Sequence, residues 1–199
     1  VELRDVNGTV LRTTTTDSNG FYSFTHLTPG VSYQMRFVTP AGFKVSPDSE
    51  GADRAKDSNA DRATGIALFV APASGSNSAT TPDDPTIDAG YYKPVSVGDY
   101  VWHDIDKDGI QDPTEGGVAG VTVTLYAIDG VTPLKTATTG TDGLYKFVDL
   151  EPGQYVVKFT TLPDGWVVTT SNDAAGKADD SNGLTATSLV LRSGDSDMT

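Results

Sequence analysis

Residues 123–153, VTLYAIDGVTPLKTATTGTDGLYKFVDLEPG, decide the fold, because residues 1–30, VELRDVNGTVLRTTTTDSNGFYSFTHLTPG, carry the same pattern in the same order. The register holds further out. TPAGFKVSP (39–47) aligns with LPDGWVVTT (162–170), and AKDSN (55–59) aligns with ADDSN (178–182), at an offset of 122–123 residues throughout. Self-similarity sustained over that span marks a tandem repeat of one module.

Inside each copy the pattern is β. Runs such as VTVTLYA (121–127), LYKFVDL (144–150) and QYVVKFTT (154–161) are rich in β-branched and aromatic residues. They tend to alternate, and Gly, Pro, Asp and Asn bound them. Asn7-Gly8, Asn19-Gly20, Asp129-Gly130, Asp142-Gly143 and Asp164-Gly165 are dipeptides that accept positive φ in tight hairpins. No ten-residue stretch shows helical periodicity. Short strands at spacings near ten residues predict an all-β chain of two antiparallel β-sandwich modules, 1–94 and 95–199.

Segment 72–86, PASGSNSATTPDDPT, is polar and has a much shorter counterpart in the second copy, so it reads as an inserted surface loop. The predicted linker is Lys93-Pro94-Val95-Ser96, between a strand at 87–92 and a new start at Val97. A four-residue linker with proline is stiff, and the modules are expected end to end with limited freedom. The first copy lacks a counterpart of VGDYVWHDIDKDGIQDPTEGGVAGV (97–121), and the second lacks one of TIDAGYYKP (86–94). The expected cause is a slice through a longer array, with neighbouring repeats as partners. The alternative is that another copy supplies a strand, since an unpaired sheet edge invites strand addition.

Twenty-seven acidic residues against fourteen basic ones leave a net charge of −13, which argues against nucleic acid, whose phosphates need clustered Lys and Arg. Residues 97–199 carry −10 of this (16 acidic, 6 basic), so the surplus sits in the second copy. No apolar run approaches the roughly 18 residues of a spanning helix, so membrane insertion is not expected. With no cysteine, disulfides and thiolate chemistry are excluded.

The acidic surplus has a focus. DIDKDGIQDPTE (104–115) fits D-x-[DN]-x-[DN]-G-x5-E without a mismatch. A hard cation such as Ca2+ takes six to eight oxygens at about 2.3–2.6 Å. Asp104, Asp106 and Asp108 supply carboxylates that converge as the backbone curls, and Gly109 permits the sharp turn. Ile110 offers its main-chain carbonyl, Asp112 binds directly or through water, and Glu115 closes the site with both oxygens. The competing reading is an acidic surface turn, which would leave four like charges within nine residues unneutralised. Magnesium suits the site less, because it demands near-ideal octahedra. Helices flank this loop in calcium sensors, whereas strand-like segments flank it here, so a structural ion fits better than a switch. Asp99, Asp142 and Asp180 form a second, weaker grouping that a sandwich could bring to one end as a second ion site, with Asp17, Asn19 and Asp57 as first-copy counterparts; the alternative is that these residues only shape turns.

Taken together, GDYVWHDIDKDGIQDPTEGGVAGVTVTLY, TDGLYKFVDLEPGQYVVKF, PDGW, DDSN and TIDAGYYKP resemble the B repeats of serine–aspartate-repeat surface adhesins, over nearly the whole chain. The resemblance implies a CnaB-like, prealbumin-type sandwich that binds calcium. It also implies an extracellular place at the cell surface or in a secreted fibre, in a rigid stalk between a ligand-binding head and the cell wall. Pilin-type relatives carry a Lys–Asn isopeptide bond assisted by a Glu; FVTPAGF (37–43) and FTTLPDGW (159–166) lack that Glu, so no such bond is expected.

Catalysis is not expected. His26 and His103 are the only histidines, and neither sits in a nucleophile motif. Binding competes more seriously with a spacer role: Trp102, Trp166, Tyr91, Tyr92 and Phe43 could form a carbohydrate-stacking platform, and 72–86 a contact loop. Solvent-facing rings would favour sugar binding, and buried rings the spacer.

Overall fold

The computed structural model describes residues 1–48, 56–72, 84, 86–171 and 181–198. Most of the predicted insertion therefore lies outside the described residues. The described chain is all β, in two compact units, Val1–Tyr92 and Lys93–Thr199. No helix long and apolar enough to cross a membrane occurs among these residues.

In the first unit β1 (Glu2–Arg4), β2 (Val10–Thr13), β3 (Ser32–Arg36) and β5 (Ile66–Val70) form an antiparallel sheet in the order β2-β1-β3-β5. A shorter pair, β4 (Lys44–Val45) with β6 (Tyr91–Tyr92), forms a second layer. Successive strand residues face opposite sides. The register sets Leu3 opposite Met35 and Met35 opposite Ala67, so one row of apolar side chains is buried across the sheet. Phe37, Val45 and Ala60 complete that core.

The second unit contains β7 (Val95–Tyr100), β8 (Thr122–Ala127), β9 (Pro133–Thr138), β10 (Leu144–Leu150), β11 (Tyr155–Thr161), β12 (Thr185–Thr187) and β13 (Ser196–Asp197). One sheet runs β12-β11-β8-β9 and the other β10-β7-β13. Val123, Leu125 and Val157 from the first meet Val97, Tyr145 and Phe147 from the second in a shared core. The pairing is antiparallel except between β13 and β7, where Ser196 and Asp197 run parallel to Ser96 and Val97.

Three expectations about boundaries need correction. Val95 and Ser96 belong to β7, with Val95 buried opposite Leu150, and Lys93 bonds Ser193 and Gly194, so the segment read as a linker belongs to the second unit. The strand expected over 87–92 is confined to Tyr91–Tyr92: the Ile87 carbonyl accepts the Tyr22 hydroxyl, Asp88 exchanges hydrogen bonds with Asn59, and Gly90 bonds Ser58 and Ser46. Finally, FYSFTHL (21–27) aligns with β10 yet forms no strand. In the second unit β10 pairs with β7.

The copies nevertheless share details that no pattern predicted. His26 and Asp149, at matched positions, both take the left-handed conformation (φ 57° and 59°), which non-glycine residues seldom adopt. The carbonyl just before each is held by a basic side chain: Arg12 donates to the Thr25 carbonyl at 2.8 Å, and Lys135 donates to that of Val148. Arg12 and Lys135 are themselves matched positions, so one latch fastens β2 or β9 to the facing layer in both copies.

The turns show why D-x-N-G recurs. Asp5 accepts the Asn7 and Thr9 amides at 2.9 and 2.8 Å, and Asp17 accepts those of Asn19 and Phe21 at 2.8 and 2.9 Å. Only the glycine of each dipeptide takes positive φ (Gly8 86°, Gly20 84°). Asp129 does similar work in the β8–β9 turn. The Thr132 hydroxyl and the Thr132 and Val131 amides, with Lys158 nearby, lower its pKa to about 2.

Two measurements check this account. Leu3 and Leu125 occupy matched central positions and are almost wholly buried. Leu→Ala at such sites costs about 2–5 kcal/mol, so L125A should lower only the second unit's thermal transition and L3A only the first's. The Asp129 carboxylate is stabilised in its charged form. Its contribution is present above about pH 4 and disappears as pH falls through its folded value of about 2. D129A should therefore lower the second unit's melting temperature at pH 6, and the gap from wild type should close toward pH 2.

Candidate metal centre

The acidic loop 104–115 is the tip of an extended hairpin. Its flanks pair through the Trp102–Gly117 bridge, the His103 amide on the Gly116 carbonyl (2.9 Å) and the Val118 amide on the Val101 carbonyl (2.8 Å). Close approach at the base depends on glycine. A Cβ on Gly117 would lie 2.2 Å from the Asp142 carbonyl oxygen, so the 140–143 turn is packed directly against the hairpin.

Within the loop the backbone curls as a chain of Asp-capped turns. Asp104 accepts the Lys107 amide at 2.7 Å through Oδ1 and the Gly109 amide at 3.1 Å through Oδ2. Asp106 accepts the Asp108 amide at 3.3 Å, and Asp108 accepts the Ile110 amide at 2.8 Å. Gly109 has φ 76°, as the motif requires, and Lys107 joins it in the left-handed region at φ 66°. The three carboxylates offer ligand atoms within 4.8 Å of one another, the only such group of three or more His, Cys, Asp or Glu among the described residues.

Asp112 and Glu115 stand outside that group, and the half-buried Ile110 has its amide on Asp108. Glu115 spans the loop instead: Oε1 accepts the Ile105 amide at 2.7 Å, and Oε2 accepts the Asp112 amide at 3.1 Å. It joins the loop's second position to its ninth. A carboxylate oxygen has two lone pairs, so these amide contacts leave capacity for a cation.

The electrostatics are divided. The Asp108 amide draws the Asp106 pKa down, but partial desolvation and the charges of Asp108, Asp104 and Asp112 together hold it above its ordinary value. Desolvation pushes Asp104 up, yet the Thr169 hydroxyl and the Gly109, Lys107 and Asp108 amides outweigh it and leave the carboxyl more acidic than usual. One carboxylate is thus stabilised as an anion while its neighbour strains against accumulated charge. A divalent ion would relieve that strain, and the donor set is all oxygen.

Two members of the second grouping lie among the described residues. Asp99 lies in β7 opposite Tyr145, and Asp142 caps its own turn on the Leu144 amide at 3.2 Å. Asp180 lies outside the described residues. In the first unit Asp17 shapes its turn, while Asp57 is buried with Oδ1 unpartnered.

Most of the aromatic residues are at least partly covered within their own units. Tyr92 is buried, and Phe43, Tyr91 and Trp102 are half-buried. Trp166 is 38% exposed and meets the His103 ring edge-on at 4.8 Å. His26 bonds the neighbouring Thr25 hydroxyl at 3.0 Å.

Comparison with known proteins is decisive for the family. The model of the SdrD B-like domain matches residues 1–91 and again 95–199. The chain belongs to the SdrD B-like domain family. Serine-aspartate repeat-containing protein D of Staphylococcus aureus (strain Newman) is 41% identical over 191 residues, covering 96% of this chain and 13% of that protein. Protein F of the same naming, from Staphylococcus epidermidis, is 42% identical over 185 residues, or 92% and 10%. The SdrD B-like repeats here thus span about an eighth of protein D and a tenth of protein F. Among solved structures, the minor pilin GBS52 of Streptococcus agalactiae is similar at 16% identity and a TM-score of 0.38, covering 86% of this chain and 82% of that one. The Bacillus anthracis TIE protein is similar at 15% and 0.34, covering 99% and 28%.

The tight base of the hairpin is open to test. G117A should destabilise the second unit by about 1–3 kcal/mol through forced backbone displacement, read as a lower melting temperature in chelator.

Proposed function

We propose that these two repeats are calcium-stabilised spacers of an extracellular surface or fibre-forming protein, and that they carry no catalytic activity of their own. The observation that carries this reading is the convergence of Asp104, Asp106 and Asp108 at the tip of a hairpin anchored in the core. Strands rather than helices frame the loop, so an ion has no helix pair to open and acts as a fastener. Asp104, Asp106, Asp108, Asp112 and Glu115 would hold the ion with the Ile110 carbonyl, and the ion would offset part of their charge. Kinship with staphylococcal serine-aspartate repeat proteins supports a place at the cell surface, with neighbouring repeats as the immediate partners. Ring burial favours packing over sugar stacking for the aromatics.

A ligand that binds only the folded state stabilises it by mass action, about 2.7 kcal/mol at a hundredfold excess over Kd. For a domain of this size that corresponds to about 10 °C or more. Thermal melts should show the second unit rising by that amount in millimolar calcium and falling back with chelator, while the first unit stays put. E115A should abolish most of the rise. A second-unit melt indifferent to calcium would refute the mechanism.

A further inference from the structure

The acidic loop is tied to a distant part of the second unit as well as to its own hairpin. Thr169, which follows the PDGW turn, donates its hydroxyl to Asp104 Oδ2. The Ser181 amide donates to the Gly109 carbonyl at 2.9 Å. Trp166 meets the His103 ring edge-on, 4.8 Å between centroids. Three loop-side groups, at 103, 104 and 109, therefore hold two stretches of chain, 163–171 and 181–184.

The first of these stretches is largely open to solvent. Val167 is 87% exposed and Val168 40%. It borders a cavity of about 430 Å³, lined by Trp102, Tyr145, Phe159, Leu162, Trp166 and Val168 among others. Thr169 and Trp166 tie it to the loop side, and the Asp104 tether runs through a carboxylate that also belongs to the proposed cation site.

We infer that Thr169 is a positioning residue of the cation site, and that cation binding to loop 104–115 fastens 163–171 and 181–184 across the cavity. The inference rests on the cation reading above. Its logic is that of outer-shell partners, which orient a metal-binding carboxylate and whose loss typically weakens metal affinity 10- to 100-fold. Coupling of this kind is reciprocal: whatever factor the ion adds to the order of 163–171, that order returns to the affinity for the ion.

Hydrogen–deuterium exchange of the full chain, read by mass spectrometry in chelator and in millimolar calcium chloride, tests it. Calcium should slow exchange about tenfold in peptides from both 104–115 and 163–171. Thr169→Val should keep the protection of 104–115, lose that of 163–171 and weaken calcium binding about tenfold; Thr169→Ser should restore both. Peptides from 122–127 and 155–161 report whether each variant is folded, and if Thr169→Val is not, the wild-type comparison decides. Protection confined to 104–115 would overturn the coupling and leave the cation site standing. Protection nowhere would overturn both, and unchanged protection of 163–171 in Thr169→Val would overturn the role of Thr169.

Discussion

The second unit is organised around a repulsion. Three carboxylates lie within 4.8 Å of one another at the end of a hairpin whose base is locked into the sandwich. The backbone cannot spread them, because each Asp is bound to an amide two to five residues further along and Glu115 straps the loop from the other side. Amide dipoles offset part of the unfavourable charge, as the lowered Asp104 and raised Asp106 show. On the proposed reading a cation would offset more of it and turn the same geometry from a liability into a fastener.

Away from that loop the two units solve one folding problem twice. Leu3 and Leu125 anchor matched sheets, and Arg12 and Lys135 latch matched carbonyls beside a left-handed residue. The difference between the copies lies where the acidic hairpin and β7 occur. With β7 present, LYKFVDL is a seven-residue strand. FYSFTHL is not a strand: Tyr22 and Phe24 pack on the core, while Phe21 is 73% exposed. A strand-like side-chain pattern is thus not sufficient by itself to form a strand.

That contrast also explains how much was legible beforehand. Strands with strong alternation and β-branched residues, such as β10 and β11, match their predicted extents almost residue for residue, because burial on one face has period two. The acidic motif was legible because its chemistry fixes both residue type and spacing. Boundaries were not: whether Val95 ends a linker or starts a strand depends on Leu150, far along the chain. The Thr169 contact with Asp104 was equally hidden, since a threonine near a turn carries no sequence mark of a partner 65 residues away. Asp99 and Asp142 sit in a strand and a turn, places that their residue type alone does not distinguish.

The central claim is that loop 104–115 holds calcium, and calorimetric titration of the whole chain with calcium chloride tests it most directly. The account predicts saturable heat in the wild type that vanishes when Asp106 and Asp108 are both replaced by asparagine, with the β-sheet circular dichroism unchanged. Absence of saturable heat in the wild type, or heat that survives the double replacement, would contradict it.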